Sequence, residues 1–329
     1  MAINKDMKLA DPLFPAKASL PIRDGFGRAV VELAEKDKDV WVLTADVSES
    51  TRTQWFAEKF PQRFVQVGVA EQNLAGVAAG IAACGKKVFI SAYAVFSPGR
   101  NFDQIRVSIC YNGLDVVVHG SHPGLNVGED GATHQALEDI AMMRVLPNMI
   151  VISPADFEQA KKAMFALAQI RDRPAYLRTS RDKGAVFTTA ETPFEIGKAN
   201  VYREGNDVTV VACGLQVYES LKAAEDLEKD GISCAVIDCH TIKPIDKETI
   251  VKWAKKTGLV VTVEEHQIDG GMGSAVCELL AEEYPCPVKR HGIYSSFGET
   301  GGGKELLKKY KLDAEGIKEI VKDAMKMKK

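Results

Sequence analysis

The sequence predicts an α/β protein: a parallel sheet with helices on both faces, followed by a second, smaller α/β unit. Three observations carry this. β-rich runs recur at residues 40–45, 64–69, 88–92, 116–119, 150–153 and 175–179, and again at 208–212, 235–238, 259–264 and 288–292. Helical patterns separate them. The runs themselves are so apolar that a strand made from them needs cover on both sides, as parallel sheets in α/β proteins have.

Taken in order, residues 24–36 read as a capped helix with Ala29, Val30, Leu33 and Ala34 inward. Further helical patterns fall at 70–84, 102–111 and 155–170, each between two strand runs. Residues 182–193 hold Gly184 and little apolar pattern, so the domain boundary is placed there. This divides the chain into an extension (1–20), a first domain (21–182), a linker (183–193) and a second domain (194–329). The second domain repeats the alternation and closes on an amphipathic helix after Leu312.

Composition narrows the function. The chain has 329 residues, 46% hydrophobic and 26% charged, with a formal net charge of −3. Those are the proportions of a globular protein of about two domains, with no electrostatic case for nucleic acid or an acidic membrane. The basic C-terminal residues Lys322, Lys326, Lys328 and Lys329 read as a solvated helix end. The start lacks an apolar signal segment, and the longest apolar runs, such as Leu259-Val260-Val261-Thr262-Val263, have strand length. Seven cysteines contain no C-x-x-C pair, which argues against a disulfide framework or zinc site and for a reduced, cytoplasmic setting.

Ligands of open parallel sheets bind beyond the carboxyl ends of the strands. Those positions carry Asp46 to Arg52, Ala70-Glu71-Gln72-Asn73, Tyr93 to Phe96, His119-Gly120-Ser121-His122, and Ser180-Arg181. Each has a plainer reading. Glu71 could serve the helix macrodipole, worth at most about 1 kcal/mol. Phe96 could be core, and His119 reads as a core histidine. The segment from His122 to His134 is harder to dismiss: three glycines let its backbone approach a ligand, and it holds two histidines with Glu129 and Asp130.

These segments, in this order, resemble the transketolase family. The resemblance rests on Gly68-Val69-Ala70-Glu71-Gln72-Asn73, Phe102-Asp103-Gln104-Ile105-Arg106, Gly120-Ser121-His122, Gly128-Glu129-Asp130-Gly131-Ala132-Thr133-His134-Gln135 and Arg178-Thr179-Ser180-Arg181. In the second domain it continues through Thr241-Ile242-Lys243-Pro244-Ile245-Asp246, Val263-Glu264-Glu265-His266 and Gly270-Gly271-Met272-Gly273. It implies that the first domain binds the pyrimidine of thiamine diphosphate and that the second is a transketolase C-terminal domain acting as dimer scaffold.

One family motif is missing. Transketolases hold the diphosphate and a divalent metal (Mg or Ca) through Gly-Asp-Gly and a later Asn pair, and this chain has no Gly-Asp-Gly. The resemblance therefore implies the C-terminal subunit of a split transketolase. An N-terminal subunit would carry that motif and the metal, and two copies of this chain would meet in a heterotetramer. The reaction implied is transfer of a two-carbon ketol unit from a ketose phosphate to an aldose phosphate.

By the same resemblance, Glu71 hydrogen-bonds N1′ of the aminopyrimidine and promotes proton removal at C2, a task suited to a buried carboxyl. Phe96 stacks on the pyrimidine, with Tyr93 and Phe102 walling the pocket. His122 and His134 bind the sugar oxygens and shuttle protons. Asp130 reads the C2 hydroxyl, while Arg181 and, as a second ligand, Arg52 hold the phosphate. Ala132 stands where the family often has Pro. No metal ligand is assigned in this chain, and His240, His266 and His291 read as structural. Gly271-x-Gly273 is too short for a dinucleotide loop, since the third glycine position holds Val276.

Three rivals are weighed. The beta subunit of a 2-oxo-acid dehydrogenase is similar in length and also lacks the diphosphate motif, but has no use for a sugar-hydroxyl reader such as Asp130. Deoxyxylulose phosphate synthase shares several features but is normally one long chain. A non-catalytic regulatory module would need none of Glu71, His122, Asp130, His134 and Arg181.

Overall fold

The computed structural model describes residues 3–328; Met1, Ala2 and Lys329 lie outside the described residues. The first half of the chain runs β1 (Ala18–Pro21), α1 (Ile22–Lys36), β2 (Val40–Thr44), α2 (Gln54–Lys59), β3 (Phe64–Gln66), α3 (Glu71–Ala83) and β4 (Lys87–Tyr93). It continues through α4 (Phe102–Gln104), β5 (Val116–Ser121), α5 (Asp139–Arg144), β6 (Ile150–Ile152), α6 (Phe157–Ala168), β7 (Ala175–Thr179) and β8 (Lys183–Val186). After α4 the chain winds on as a π-helix over Ile105–Cys110, so the helix read at 102–111 is present in a wider form.

The second half comprises β9 (Asn200–Arg203), β10 (Val208–Ala212), α7 (Gln216–Lys229), β11 (Cys234–Asp238), β12 (Thr241–Lys243) and α8 (Lys247–Thr257). It ends with β13 (Val260–Gln267), α9 (Met272–Glu283), β14 (Val288–Ile293), α10 (Gly303–Lys309) and α11 (Ala314–Met325). The α/β architecture read from the sequence is thus present in both halves. Most of the long apolar runs became strands buried on both faces, β5 at every position, whereas the edge strand β3 is half-buried to exposed.

The larger sheet has seven strands in the order β12-β6-β7-β5-β4-β2-β3, parallel except for the edge strand β12. That edge strand comes from the second half of the chain and pairs antiparallel with β6. The smaller sheet has the order β14-β13-β10-β11-β9, with β9 antiparallel. One apolar cluster spans the seam, joining Val88, Ile90 and Val118 to Val211, Ile237, Trp253 and Val260. The seam is therefore core, not a hinge.

A two-stranded ribbon adds what the apolar pattern did not show: β1 pairs antiparallel with β8, in the stretch read as a linker. Among the described residues no helix is long and apolar enough to cross a membrane. All seven cysteines are free thiols.

Candidate active site at the carboxyl edge of the large sheet

Register builds the site. Tyr93 of β4 stands opposite Ser121 of β5, which stands opposite Thr179 of β7. The residues that follow these strands therefore emerge side by side on one edge. His122 leaves β5 with φ of 58°, a left-handed conformation that is strained for a side-chain-bearing residue and turns it back over the edge. Asp46 and Arg52, after β2, also have positive φ.

The rings converge. Tyr93 stacks on His122 with centroids 4.0 Å apart and lies parallel to Phe96 at 5.9 Å. His134 meets Phe96 edge-on at 5.3 Å. Tyr93, Phe96, His122 and His134, read separately from the sequence, thus form one aromatic cluster. Phe102 forms no ring contact with this cluster among the described residues: it begins α4 and packs, half-buried, against the large apolar core.

Arg23 is the residue that the sequence reading missed. Its Nη1 lies 2.6 Å from His122 Nε2, and Ser121 Oγ lies 2.8 Å from Nδ1. A guanidinium only donates, so Nε2 accepts and the ring proton sits on Nδ1, donated to Ser121. Burial first, then the nearby Arg23, pushes the His122 imidazolium down to about 2, so the ring is neutral. Burial and Arg52 lower Arg23 itself to about 10.

The arginine charges are unequal in their compensation. Arg52 Nε pairs with Asp24 at 2.7 Å, and Arg181 Nη1 lies 3.4 Å from Asp130 while also donating to the Val127 carbonyl. Arg23 makes no ion pair among the described residues, and its Nε is buried without a partner. The edge therefore carries surplus positive charge beside a neutral histidine, which suits an anionic group on a polar ligand. Asp130 is exposed and tied to Arg181; His134 Nδ1 lies 2.9 Å from Thr133 Oγ1.

Glu71 opens α3 and is only 4% exposed. Its Oε1 pairs with Arg100 Nη1 at 3.0 Å, and its backbone carbonyl accepts from Asn101 Nδ2. Arg100 in turn lies 4.4 Å over the Phe96 ring, so Glu71 is joined to the aromatic cluster through one guanidinium. Asn101 Oδ1 and Gln104 Oε1 are buried nearby in sequence without partners. A buried carboxylate, an aromatic wall and unpartnered amide oxygens fit a planar nitrogen heterocycle bearing an amino group. No group of three or more metal-ligating side chains occurs among the described residues.

The remaining histidines are held within the fold. His119 is fully buried, bonded to Ser91 and Thr179 at 2.7 Å each and stacked on Phe26. His266 Nε2 accepts from the Ala141 amide, and His291 lies 2.7 Å from the Lys311 carbonyl. His240 is buried against Phe194 and Thr241.

Comparison with known proteins shows the family of the chain. The family model for the transketolase pyrimidine-binding domain matches residues 18–185, and that for the transketolase C-terminal domain matches residues 197–317. A putative transketolase C-terminal section from Methanocaldococcus jannaschii is 44% identical, the alignment covering 93% of this chain and 96% of that protein. A 6-deoxy-6-sulfo-D-fructose transketolase subunit from a Clostridium species is 40% identical over 92% and 93% of the two chains. Among solved structures, a split-gene transketolase described as an inactive beta4 tetramer superposes with a TM-score of 0.88 at 45% identity, covering 94% of this chain and all of the other.

Proposed function

We propose that this chain, which belongs to the transketolase family, is the C-terminal subunit of a two-chain transketolase acting in the cytoplasm. It would transfer a two-carbon ketol unit from a ketose phosphate to an aldose phosphate, the exchange of the pentose phosphate pathway. The observation that carries the reading is the joining of buried Glu71, through Arg100, to the cluster of Phe96, Tyr93, His122 and His134. A scaffold has no use for a buried carboxylate and a neutral histidine converging on one sheet edge.

Thiamine diphosphate, when bound, supplies the carbon nucleophile that carries the two-carbon unit. Glu71 would hold a proton at N1′ of its pyrimidine, and Phe96 with Tyr93 would wall the ring. The N-terminal subunit, bearing Gly-Asp-Gly and the Asn pair, would hold the diphosphate with Mg or Ca. In this chain, His122 presents a fixed tautomer: Nδ1–H is committed to Ser121, which leaves Nε2 as an acceptor for a substrate hydroxyl once Arg23 yields it. His134, on the open side, would move a proton at a sugar oxygen. Asp130 would accept from the C2 hydroxyl, and Arg181, Arg23 and Arg52 would bind the phosphate.

Partner dependence is supported by the similar split-gene chain, whose assembly with itself alone is described as inactive. The assembly proposed here is a heterotetramer in which two copies of this chain meet. The experiment is a native pull-down with this chain tagged, followed by a ketol-transfer assay. Expected are a co-purifying protein with the Gly-Asp-Gly motif, no turnover by the chain alone, and turnover by the pair with thiamine diphosphate and a divalent metal. Turnover by the chain alone, or none by the pair on any ketose phosphate, would overturn it.

A further inference from the structure

Strand β13 of the second domain carries three consecutive polar residues, and the structure gives each a separate task. Glu264 accepts from the Met272 and Gly273 amides at the start of α9, 2.7 Å each. His266 accepts from the Ala141 amide of α5. Glu265 turns to the candidate active site: buried to 3% exposure, its Oε1 accepts from the Asn126 amide at 2.6 Å. It also fills the space beneath Gly124, where a Cβ would come within 2.5 Å of its carboxyl carbon. Gly124 has φ of +74°, so side-chain-bearing residues are disfavoured there by conformation as well as by space.

The loop held this way is the one that carries the proposed substrate residues. Asn126 Oδ1 accepts from the Asp182 amide, next to Arg181. Arg181 donates to the carbonyl of Val127, and Asp130 follows three residues on. Arg178 acts on the Glu265 carboxyl through its charge but makes no ion pair with it among the described residues. It pairs with Asp139 through Nε at 2.8 Å and gives Nη2 to the Glu265 backbone carbonyl. Burial pushes the Glu265 carboxyl up to about 7 against the pull of Arg178, and its Oε1 goes to loop backbone, where an aliphatic side chain would fill the same volume without burying a polar group.

We infer that Glu265 is a positioning residue of the active site: the second domain sets the backbone from Gly124 to Asn126, and thereby the placement of His122, Asp130 and Arg181. This deepens the proposed function and rests on it for the identity of the substrate, not for the contact. Glu265→Gln keeps an acceptor oxygen and the volume; Glu265→Ala loses both.

The test has two readouts. In the isolated chain, amide hydrogen exchange at residues 124–131 is expected to quicken about ten-fold in Glu265→Ala, as for loss of one buried hydrogen bond. Glu265→Gln should stay near wild type. Gly124→Ala, which attacks the contact from the loop side, should reproduce the alanine effect. In the assembled enzyme, Glu265→Ala should raise KM for the ketose phosphate about ten-fold or more with a smaller change in kcat, and Glu265→Gln should restore it. Unchanged exchange at 124–131 in Glu265→Ala, or loss of protection spread evenly over both domains, overturns the inference. If the wild-type assembly shows no ketol transfer, the proposed function falls, while the exchange measurement still decides the role of Glu265.

Discussion

Arg100 Nη1 lies 3.0 Å from the Oε1 of Glu71, and the same guanidinium stands over the ring of Phe96. An arginine whose side chain is 54% exposed thus covers both a nearly buried carboxylate and the aromatic face beside it. The two contacts are unequal in what they contribute. An ion pair with one partner in solvent is screened and stabilises by no more than about 1 kcal/mol. Arg100→Gln should therefore change the unfolding free energy by less than about 1 kcal/mol in urea titrations. Glu71→Ala in the assembled enzyme should lower the ketol-transfer rate by about two to four orders of magnitude, the range for removing an acid–base group. Turnover near wild type in that variant would remove Glu71 from the mechanism.

Arg23 is half-buried, makes no ion pair among the described residues and has a buried, unpartnered Nε; Asp24 compensates its charge only from a distance. If that charge awaits a phosphate, Arg23→Gln should raise KM for a ketose phosphate about 10–100-fold, the worth of a hydrogen bond to a charged group. The same variant should leave KM for the unphosphorylated ketose nearly unchanged. Equal effects on both sugars would assign Arg23 to the support of His122 alone.

Stability should respond to acid through the buried histidines. Burial pushes His119 down to about 3 and His122 to about 2, from an ordinary value of 6.5. The unfolded chain therefore binds more protons below pH 6.5. The stabilisation is whole above that pH and is lost as pH falls from 6.5 towards 3. Each ring should contribute a slope of about 1.4 kcal/mol per pH unit within that window. His119→Gln should reduce the slope measured by urea unfolding between pH 6.5 and 5. A slope that does not change would show that His119 is protonated in the folded chain.

Asp238 has the opposite sign. Burial pushes its carboxyl from 3.8 up to about 7, even though Gln159 and Tyr202 donate to it and act the other way. The folded chain holds a proton that the unfolded chain releases, so stability falls as pH rises from 3.8 to 7. Asp238→Asn should gain on the wild type over that interval in thermal melts at pH 5 and 7. Because the histidine and aspartate effects oppose each other there, each is read from its variant's difference from wild type.

Arg178 and Asp139 form a fully buried pair that also binds Tyr176 and the Glu265 carbonyl. Arg178→Ala leaves Asp139 uncompensated in the interior and should cost about 3–5 kcal/mol. A loss below 1 kcal/mol would mean that water reaches the site freely. Arg178 belongs to the motif that also ends in Arg181, so the two arginines of one short segment divide into a structural and a site role.

Much of the fold was legible because burial on both sides demands an unbroken apolar run, and such runs are visible one at a time. All six runs of the first half are strands, and 175–179 appears with the boundaries read for it. The strands that went unread are short or polar. Lys183–Val186 and Thr241–Lys243 are strands because a distant segment offers backbone partners, β1 and β6 respectively. Nothing in three or four residues announces that pairing.

The site divides in the same way. Tyr93, Phe96 and His122 could be picked out because they lie just beyond predicted strands, where parallel sheets place their ligands, and His134 because it ends the Gly-rich loop that follows His122. Arg23 could not, since it follows β1, a strand with no apolar signature. Arg100 lies in a turn with no periodic pattern, and Glu265 looks like one more strand residue of the other domain.

By itself, then, the sequence determined which long apolar segments are strands and which family the chain belongs to, and it pointed to one edge of the large sheet as the candidate site. Those properties follow from local composition and from short motifs. Only the tertiary structure decided which charges are paired and which are left over. It placed Arg23 on His122, Arg100 on Glu71, and Glu265 under the loop from another domain. Such pairings depend on distances between residues far apart in the chain, and burial then sets how strongly each charge is felt.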